Sequence, residues 1–368
     1  MLKRLYIDNY KCFVNFEYSP GNRELLLGDN GSGKSSIFEV LAGLRALIID
    51  GVDVADVFPR STRTRWQERD QQSVELDVEG AGCIYHFILN LRYDQKTRRT
   101  IIYHEELQID QTALYSSQDG EARLNNGHDA SRLFLLVSNT RSGLFFLAQM
   151  ESKTELKWFI NWLRSLLVIR IDPYRMKSES IEEIDHPSVS LDNYASWYRH
   201  LVQENATAIS NTTHMLQDII SGFVSLSLQK EGEQTRVLNV LISSDNRKEK
   251  YSIDELSEGQ RALIALYTLV GILGDKPTLL CIDEPDNYVS LKEIQPWLLK
   301  IEELTECAQA QVLIISHHPE IINFLAPSAA TRFYRKQNGP VRVEAFEVSK
   351  SNEGLLPSEI VARGWESD

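Results

Sequence analysis

Residues 28–35 read Gly28-Asp29-Asn30-Gly31-Ser32-Gly33-Lys34-Ser35 and fit the pattern GxxxxGK[ST] at every fixed position. On the N-terminal side the stretch from Glu24 to Leu27 has strand character. On the other side Ile37, Val40, Leu41, Leu44 and Leu47 recur at helical spacing. Strand, glycine-rich loop and helix form the context in which this pattern is a P-loop. Its glycines let successive backbone N–H groups turn toward phosphate oxygens, and the helix behind adds the positive end of its dipole. Lys34 supplies a cation to the terminal phosphates of a nucleotide and the Ser35 hydroxyl is suited to Mg2+, while Asn30, Gly31, Ser32, Gly33 and Ser36 complete the cradle.

A second decisive stretch, Thr278-Leu279-Leu280-Cys281-Ile282-Asp283-Glu284-Pro285, is an apolar run of buried-strand type ending in two carboxylates. Asp283 is expected to hold Mg2+ through its water shell. Glu284, pointing elsewhere, is expected to polarise an attacking water. Another such run, Val312 to Ile315, is followed by Ser316-His317-His318-Pro319. From Gln260 onward helix and buried strand alternate, the pattern of a parallel sheet covered on both faces. The fold class is therefore α/β.

Leu256-Ser257-Glu258-Gly259-Gln260 precedes the paired acids by a short interval and resembles the LSGGQ-type signature of ABC ATPases, with Glu258 in place of the first glycine. At a helix start, a Ser hydroxyl, bare N–H groups and the helix dipole suit a γ-phosphate. The resemblance implies that this phosphate belongs to ATP held by a second copy, so that a homodimer closes head to tail around ATP and Mg2+. It assigns catalysis to Lys34, Glu284 and His317, nucleotide contacts also to Ser257, Gly259 and Gln260, and metal contacts to Ser35, Asp283 and Gln149. Spacing does not separate His317 from His318, and both stay open for the γ-phosphate contact. Gln149, which follows Leu144 to Ala148, is expected either as the Q-loop glutamine or as the end of a core strand, with Gln111 and Gln118 as rivals. Asp286 to Ser290 stands where that family places its D-loop, with a different text.

The opening Ile7-Asp8-Asn9-Tyr10-Lys11 resembles the I-x-N-[FY]-[KR] start of SMC, RecF and overcoming-lysogenization-defect ATPases, and the RQR and SALD texts of transporter ATPases are missing. This resemblance implies an ABC-type P-loop head with a parallel core sheet, a flanking antiparallel sheet and a helical insertion, without a long coiled coil. It also implies work in DNA repair or in defence against foreign DNA, gating a separate effector such as a nuclease, because the stretch after His317 is too short for one. A transporter ATPase subunit and an ATP-binding structural module with negligible turnover are the alternatives.

The rest of the chain sets bounds. Its 368 residues, 42% hydrophobic and 25% charged, suit a globular protein. The longest apolar run, Leu263 to Leu273, is well short of the ~20 residues that span a bilayer, and the N-terminus lacks a signal-peptide core, so a cytoplasmic protein without membrane contact is expected. Cys12, Cys83, Cys281 and Cys307 are too scattered for a zinc site. A net charge of −13 opposes nonspecific DNA binding, but Arg60, Arg63, Arg65 and Arg69, and then Lys96, Arg98 and Arg99, form local basic clusters that can meet phosphates. Trp66 inside the first cluster is expected either to stack on a base or to seat the loop on the core, and Lys11 to approach the nucleotide.

Along the chain the expected division is 1–150 as a nucleotide-binding lobe with an antiparallel subdomain, 151–250 as a helical and small β insertion, and 251–368 as the lobe with signature, paired acids and histidine. Residues 73 to 109 hold three strand-like stretches, Leu191 to Phe223 one amphipathic helix of ~48 Å, and Val224 to Ile253 a small meander.

Overall fold

Strict alternation of buried and half-exposed residues builds the largest sheet. The computed structural model describes all residues except 126–132, 137, 150–153, 245–246, 274–277, 309, 338, 348–353 and 365–368, with only the backbone of 133–136. The chain divides into two units, one of Met1–Leu166, Pro277–Leu279 and Ala329–Glu347, the other of Leu167–Lys276, Leu280–Ser328 and Val348–Asp368. The sequential three-part division read from the sequence thus runs along a chain whose units interleave.

In the first unit the strands are β1 (Leu2–Asp8), β2 (Phe16–Tyr18), β3 (Arg23–Leu27), β4 (Gln71–Gly80), β5 (Cys83–Asp94), β6 (Arg99–Ile109), β7 (Thr112–Gln118), β8 (Glu121–Leu124) and β9 (Leu133–Leu136). Its helices are α1 (Lys34–Ile48), α2 (Val54–Val57), α3 (Gly143–Ala148) and α4 (Thr154–Ser165). An antiparallel sheet runs in the order β2-β1-β4-β5-β6-β7-β8-β9. On β5, Tyr85, Phe87, Leu89 and Leu91 all point inward, as period-two burial requires. Helix α4 covers this face, with Trp158 stacked on Tyr85 at 4.7 Å between ring centroids. Gly80 makes room for that ring, since a Cβ there would lie 1.7 Å from Trp158.

The second unit holds β10 (Leu167–Ile169), β11 (Glu179–Ser180), β12 (Phe223–Lys230), β13 (Arg236–Ser244), β14 (Arg247–Ser252), β16 (Ala310–Ile315) and, from Leu280 onward, β15 (Thr278–Asp283). Its helices are α5 (Tyr194–Glu204), α6 (Ala206–Ile219), α7 (Glu258–Ile272), α8 (Leu291–Glu306) and α9 (Pro319–Leu325). Every residue of β15 and β16 is buried, the signature of strands covered on both faces. β10 pairs in parallel with β15, with Ile169 opposite Ile282. β12, β13 and β14 form the expected meander. The chain then returns to the first unit for β17 (Ala330–Arg335), parallel to β3, and β18 (Val341–Ala345), and ends in the second with α10 (Pro357–Arg363).

The single helix expected from Leu191 to Phe223 is two helices. Asn205 leaves the helical region at φ −143°, its N–H closes α5 on Leu201, and its side chain accepts from Ala208 N to cap α6. Apolar spacing persists through the break because both helices bury one face. α6 packs on α7 where Gly271 brings the backbones together, a Cβ there lying 2.2 Å from Thr212 Oγ1. Among the described residues no helix is long and apolar enough to cross a membrane.

Candidate functional site

Three glycines of the P-loop have positive φ: Gly28 at 135°, Gly31 at 79° and Gly33 at 99°. Two of them are also fixed by packing. A Cβ on Gly28 would lie 2.1 Å from the Phe333 carbonyl oxygen on β17, and one on Gly33 would lie 3.0 Å from Cys12 Sγ. Gly31 has nothing within 4 Å, so only its backbone conformation calls for glycine there. Helix α1 begins at Lys34 with no side-chain cap and no acidic residue in its first turn, so no carboxylate opposes an anion at the positive end of the helix. The buried Lys34 donates from Nζ to Gly28 O, to Asp29 O at 3.0 Å and to Ser32 Oγ at 3.4 Å, which holds the ammonium over the loop. Ser35 is exposed and Ser36 half-buried. This set of groups, a cation with loop N–H groups and hydroxyls, fits a triphosphate, and the Ser35 hydroxyl suits a divalent cation.

Gln149 is the C-cap of α3 and is exposed. The core-strand alternative is thereby replaced by a short helix, because Ser142 caps the segment and Glu105 receives its first amide, Gly143 N, at 2.8 Å. Glu105 is fully buried, also accepts from Ser142 Oγ and from Tyr115 OH at 3.0 Å, and burial pushes its carboxyl above the usual range. Gln111 lies in the turn just before β7 and Gln118 is the last residue of β7, and both are exposed.

In the second unit β15 delivers Asp283 buried, and Glu284 follows with φ +52°, a left-handed conformation uncommon for a residue other than glycine. The Glu284 N–H donates to Ile315 O at 2.8 Å, fixing it to the end of β16. Its Oε2 accepts from Asn287 Nδ2 at 2.9 Å and lies 3.7 Å from an Arg170 guanidinium nitrogen. Ser316 Oγ donates to Asp286 Oδ1 at 2.6 Å, which ties the segment after the paired acids to the start of the histidine pair. His318 Nδ1 accepts from Glu320 N at 3.2 Å and caps α9, whereas His317 is exposed with no side-chain partner among the described residues. Geometry thus separates two histidines that spacing could not.

Ser257 caps α7, accepting from Gln260 N at 3.3 Å while Gln260 Oε1 accepts from Ser257 N at 3.2 Å, a reciprocal capping box. Gly259 lies against the segment after the paired acids, where a Cβ would be 2.7 Å from Tyr288 O. The signature, Glu284 and His317 therefore belong to one unit and the P-loop and Gln149 to the other.

Three of the seven cations in the basic clusters are ion-paired. Arg63 pairs with Asp70, Arg69 with Asp8 at 2.8 Å and Arg99 with Asp53 at 3.2 Å, while Arg60 lies over the Tyr93 ring at 4.9 Å. Trp66 is half exposed under Arg335 at 5.3 Å, so it stays out of the core. Lys11 pairs with Glu39 on α1. Sequence reasoning missed Arg170 and Glu105, which lie in no motif, and gave Asn287 no role beyond its place in the stretch from Asp286 to Ser290.

A family model described as "AAA domain, putative AbiEii toxin, Type IV TA system" matches residues 25–323, from β3 into α9. The chain belongs to this AAA_21 family. The match takes in the P-loop, the signature, the paired acids and both histidines. Among solved structures the AAA_21 chain is similar to the Smc head domain from Pyrococcus furiosus, a head with an extended coiled coil bound to the C-terminal domain of ScpA, with a TM-score of 0.52, 11% identity, and coverage of 93% of this chain and 95% of that one. It is also similar to the SMC head domain from Thermotoga maritima, with a TM-score of 0.49, 14% identity, and coverage of 94% and 99%. At such identities the likeness to the Pyrococcus head is one of fold, the P-loop ATPase head of SMC type. No curated protein matches the AAA_21 chain. Membership implies nucleotide binding.

Proposed function

We propose that the protein is an ATPase that binds ATP with Mg2+ on residues 28–36 and closes head to tail on a second copy, gating a separate effector in DNA repair or in defence against foreign DNA. The observation that carries the reading is Glu284: a half-exposed carboxylate in a strained backbone conformation, directly after a buried acid and tied to the strand end that leads to His317. Strain of this kind persists where a function holds it.

In this reading Lys34 and the loop amides bind the β and γ phosphates, and Ser35 and Asp283 hold the metal, with Gln149 beside it. Mg2+ neutralises phosphate charge when bound. Glu284 orients the attacking water and accepts its proton, and His317 donates to the γ-phosphate. Ser257, Gly259 and Gln260 present the start of α7 to the γ-phosphate of the partner copy's ATP. Residues 1–150 serve as the nucleotide lobe, 251–368 as the signature lobe and 151–250 as the insertion between them.

The test is Glu284→Gln, assayed for turnover and, by light scattering with and without Mg-ATP, for mass. Turnover should fall about 100-fold or more, the range expected for a general base, and the variant should shift from monomer to dimer on adding ATP. Bound ATP without any mass shift would replace the switch with a structural use of the nucleotide.

A further inference from the structure

One loop touches both the candidate base and the signature helix. Residue 170 follows Ile169, the last residue of β10, whose partner in the parallel register is Ile282. The register alone therefore sets Arg170 level with the paired acids at the end of β15. Its guanidinium lies 3.7 Å from Glu284 Oε2, and Arg170 N donates to Val189 O at 2.7 Å, so the backbone of this position is held. Three residues on, Pro173 O accepts from the buried Arg261 NH1 of α7 at 2.7 Å. Tyr174 then meets Tyr288 edge-on at 6.1 Å, next to the carbonyl that abuts Gly259. Residues 170–174 are thus anchored on the signature helix at one end and end in a cation at the carboxylate at the other.

Asn287 and Arg170 both act on Oε2, and Oε1 has no protein partner among the described residues. Asn287 hydrogen-bonds Oε2 and the Arg170 cation lies near the same oxygen, a bias that leaves Oε1 to face a water. The side chains of Arg170 and Glu284 are 65% and 34% exposed, and a pair so placed adds little to stability. Its consequence lies in orientation.

We infer that Arg170 is a positioning residue for Glu284, steering Oε1 toward the attacking water and linking the base to the signature helix through residues 170–174. This rests on the reading of Glu284 as the base. Arg170→Ala should lower kcat roughly fivefold, the upper end of what an exposed ion pair carries, with KM for ATP and melting temperature unchanged. Arg170→Lys should recover most of the loss, because it restores a cation at the same place. In a Glu284→Gln background Arg170→Ala should change nothing further, since a positioner acts only through the group it positions. A wild-type kcat for Arg170→Ala, with Glu284→Gln inactive, would overturn the inference and leave the proposed function standing. An active Glu284→Gln would overturn the reading of the base itself. Equal losses from Arg170→Ala in both backgrounds would likewise reject Arg170 as acting through Glu284.

Discussion

Gly259→Ala tests how the signature is held. Gly259 is the second residue of α7 and needs no unusual φ, so helix propensity alone would favour alanine by up to ~1 kcal/mol. Packing opposes this. The added methyl would lie 2.7 Å from Tyr288 O, closer than a Cβ tolerates, and the obstacle is backbone, which cannot swing away as a side-chain tip would. Tyr288 already has φ +72°, inside a turn closed by Val289 N on Asp286 O at 3.1 Å. Overpacking of this kind costs about 1–3 kcal/mol, which leaves a net loss of up to about 2 kcal/mol after the propensity gain. For a chain of this length the melting temperature should therefore fall by up to about 3 °C. The functional loss should be larger, because the first turn of α7 must move away from the segment beside the base. In a Glu284→Gln background, light scattering should show ATP-driven association weakened about tenfold, while binding of a fluorescent ATP analogue to the P-loop is retained. Association and melting temperature both equal to the parent's would refute the view that Tyr288 O fixes the signature.

His317→Ala should cut turnover at least about tenfold with little change in melting temperature, whereas His318→Ala should keep most turnover and lose about 0.5–1 kcal/mol of stability with the α9 cap, as read by thermal denaturation and steady-state kinetics. The reverse pattern would exchange their roles. Glu105→Gln carries a pH signature: burial holds the Glu105 carboxyl above its ordinary value of 4.5, so its contribution to stability is complete below that value and is lost as pH rises through the folded-state value. The stability gap between wild type and Glu105→Gln, from urea midpoints between about pH 4 and about pH 8, should therefore narrow as pH rises, and a constant gap would reject the burial argument.

What could be read from the sequence was what is local. The P-loop is eight consecutive residues between a strand and a helix, and β15 and β16 are unbroken apolar runs, so each is decided by its own neighbours in the chain. The strands β4, β5 and β6 were legible from alternation, whereas β7 and β8 are short and carry Ser, Gln and Arg on their outer face. The break between α5 and α6 was hidden for a related reason: apolar residues keep helical spacing on both sides, and only the polar side chain of Asn205 turns the backbone. The apolar run before Gln149 reads equally as a strand, and it is helical because Ser142 caps it and Glu105, far away on β6, accepts its first amide.

The candidate site divides along the same line. Motifs name the groups that touch a nucleotide, because the chemistry demands particular residue types at short intervals. They do not name the groups that aim those residues. Which of two adjacent histidines is available depends on α9 taking His318 as its cap, and the rotation of Glu284 depends on Asn287 three residues away and on Arg170 from another strand. Arg170 reaches its place only because β10 pairs with β15 in parallel with Ile169 opposite Ile282, and shifting that pairing by one residue would set Ile169 or Ile171 level with Asp283 instead. An inserted or deleted residue in β10 should therefore affect turnover more than the loss of any one side chain of that loop, because it would uncouple the cation, the Pro173 carbonyl and Tyr174 together from the segment that carries the base.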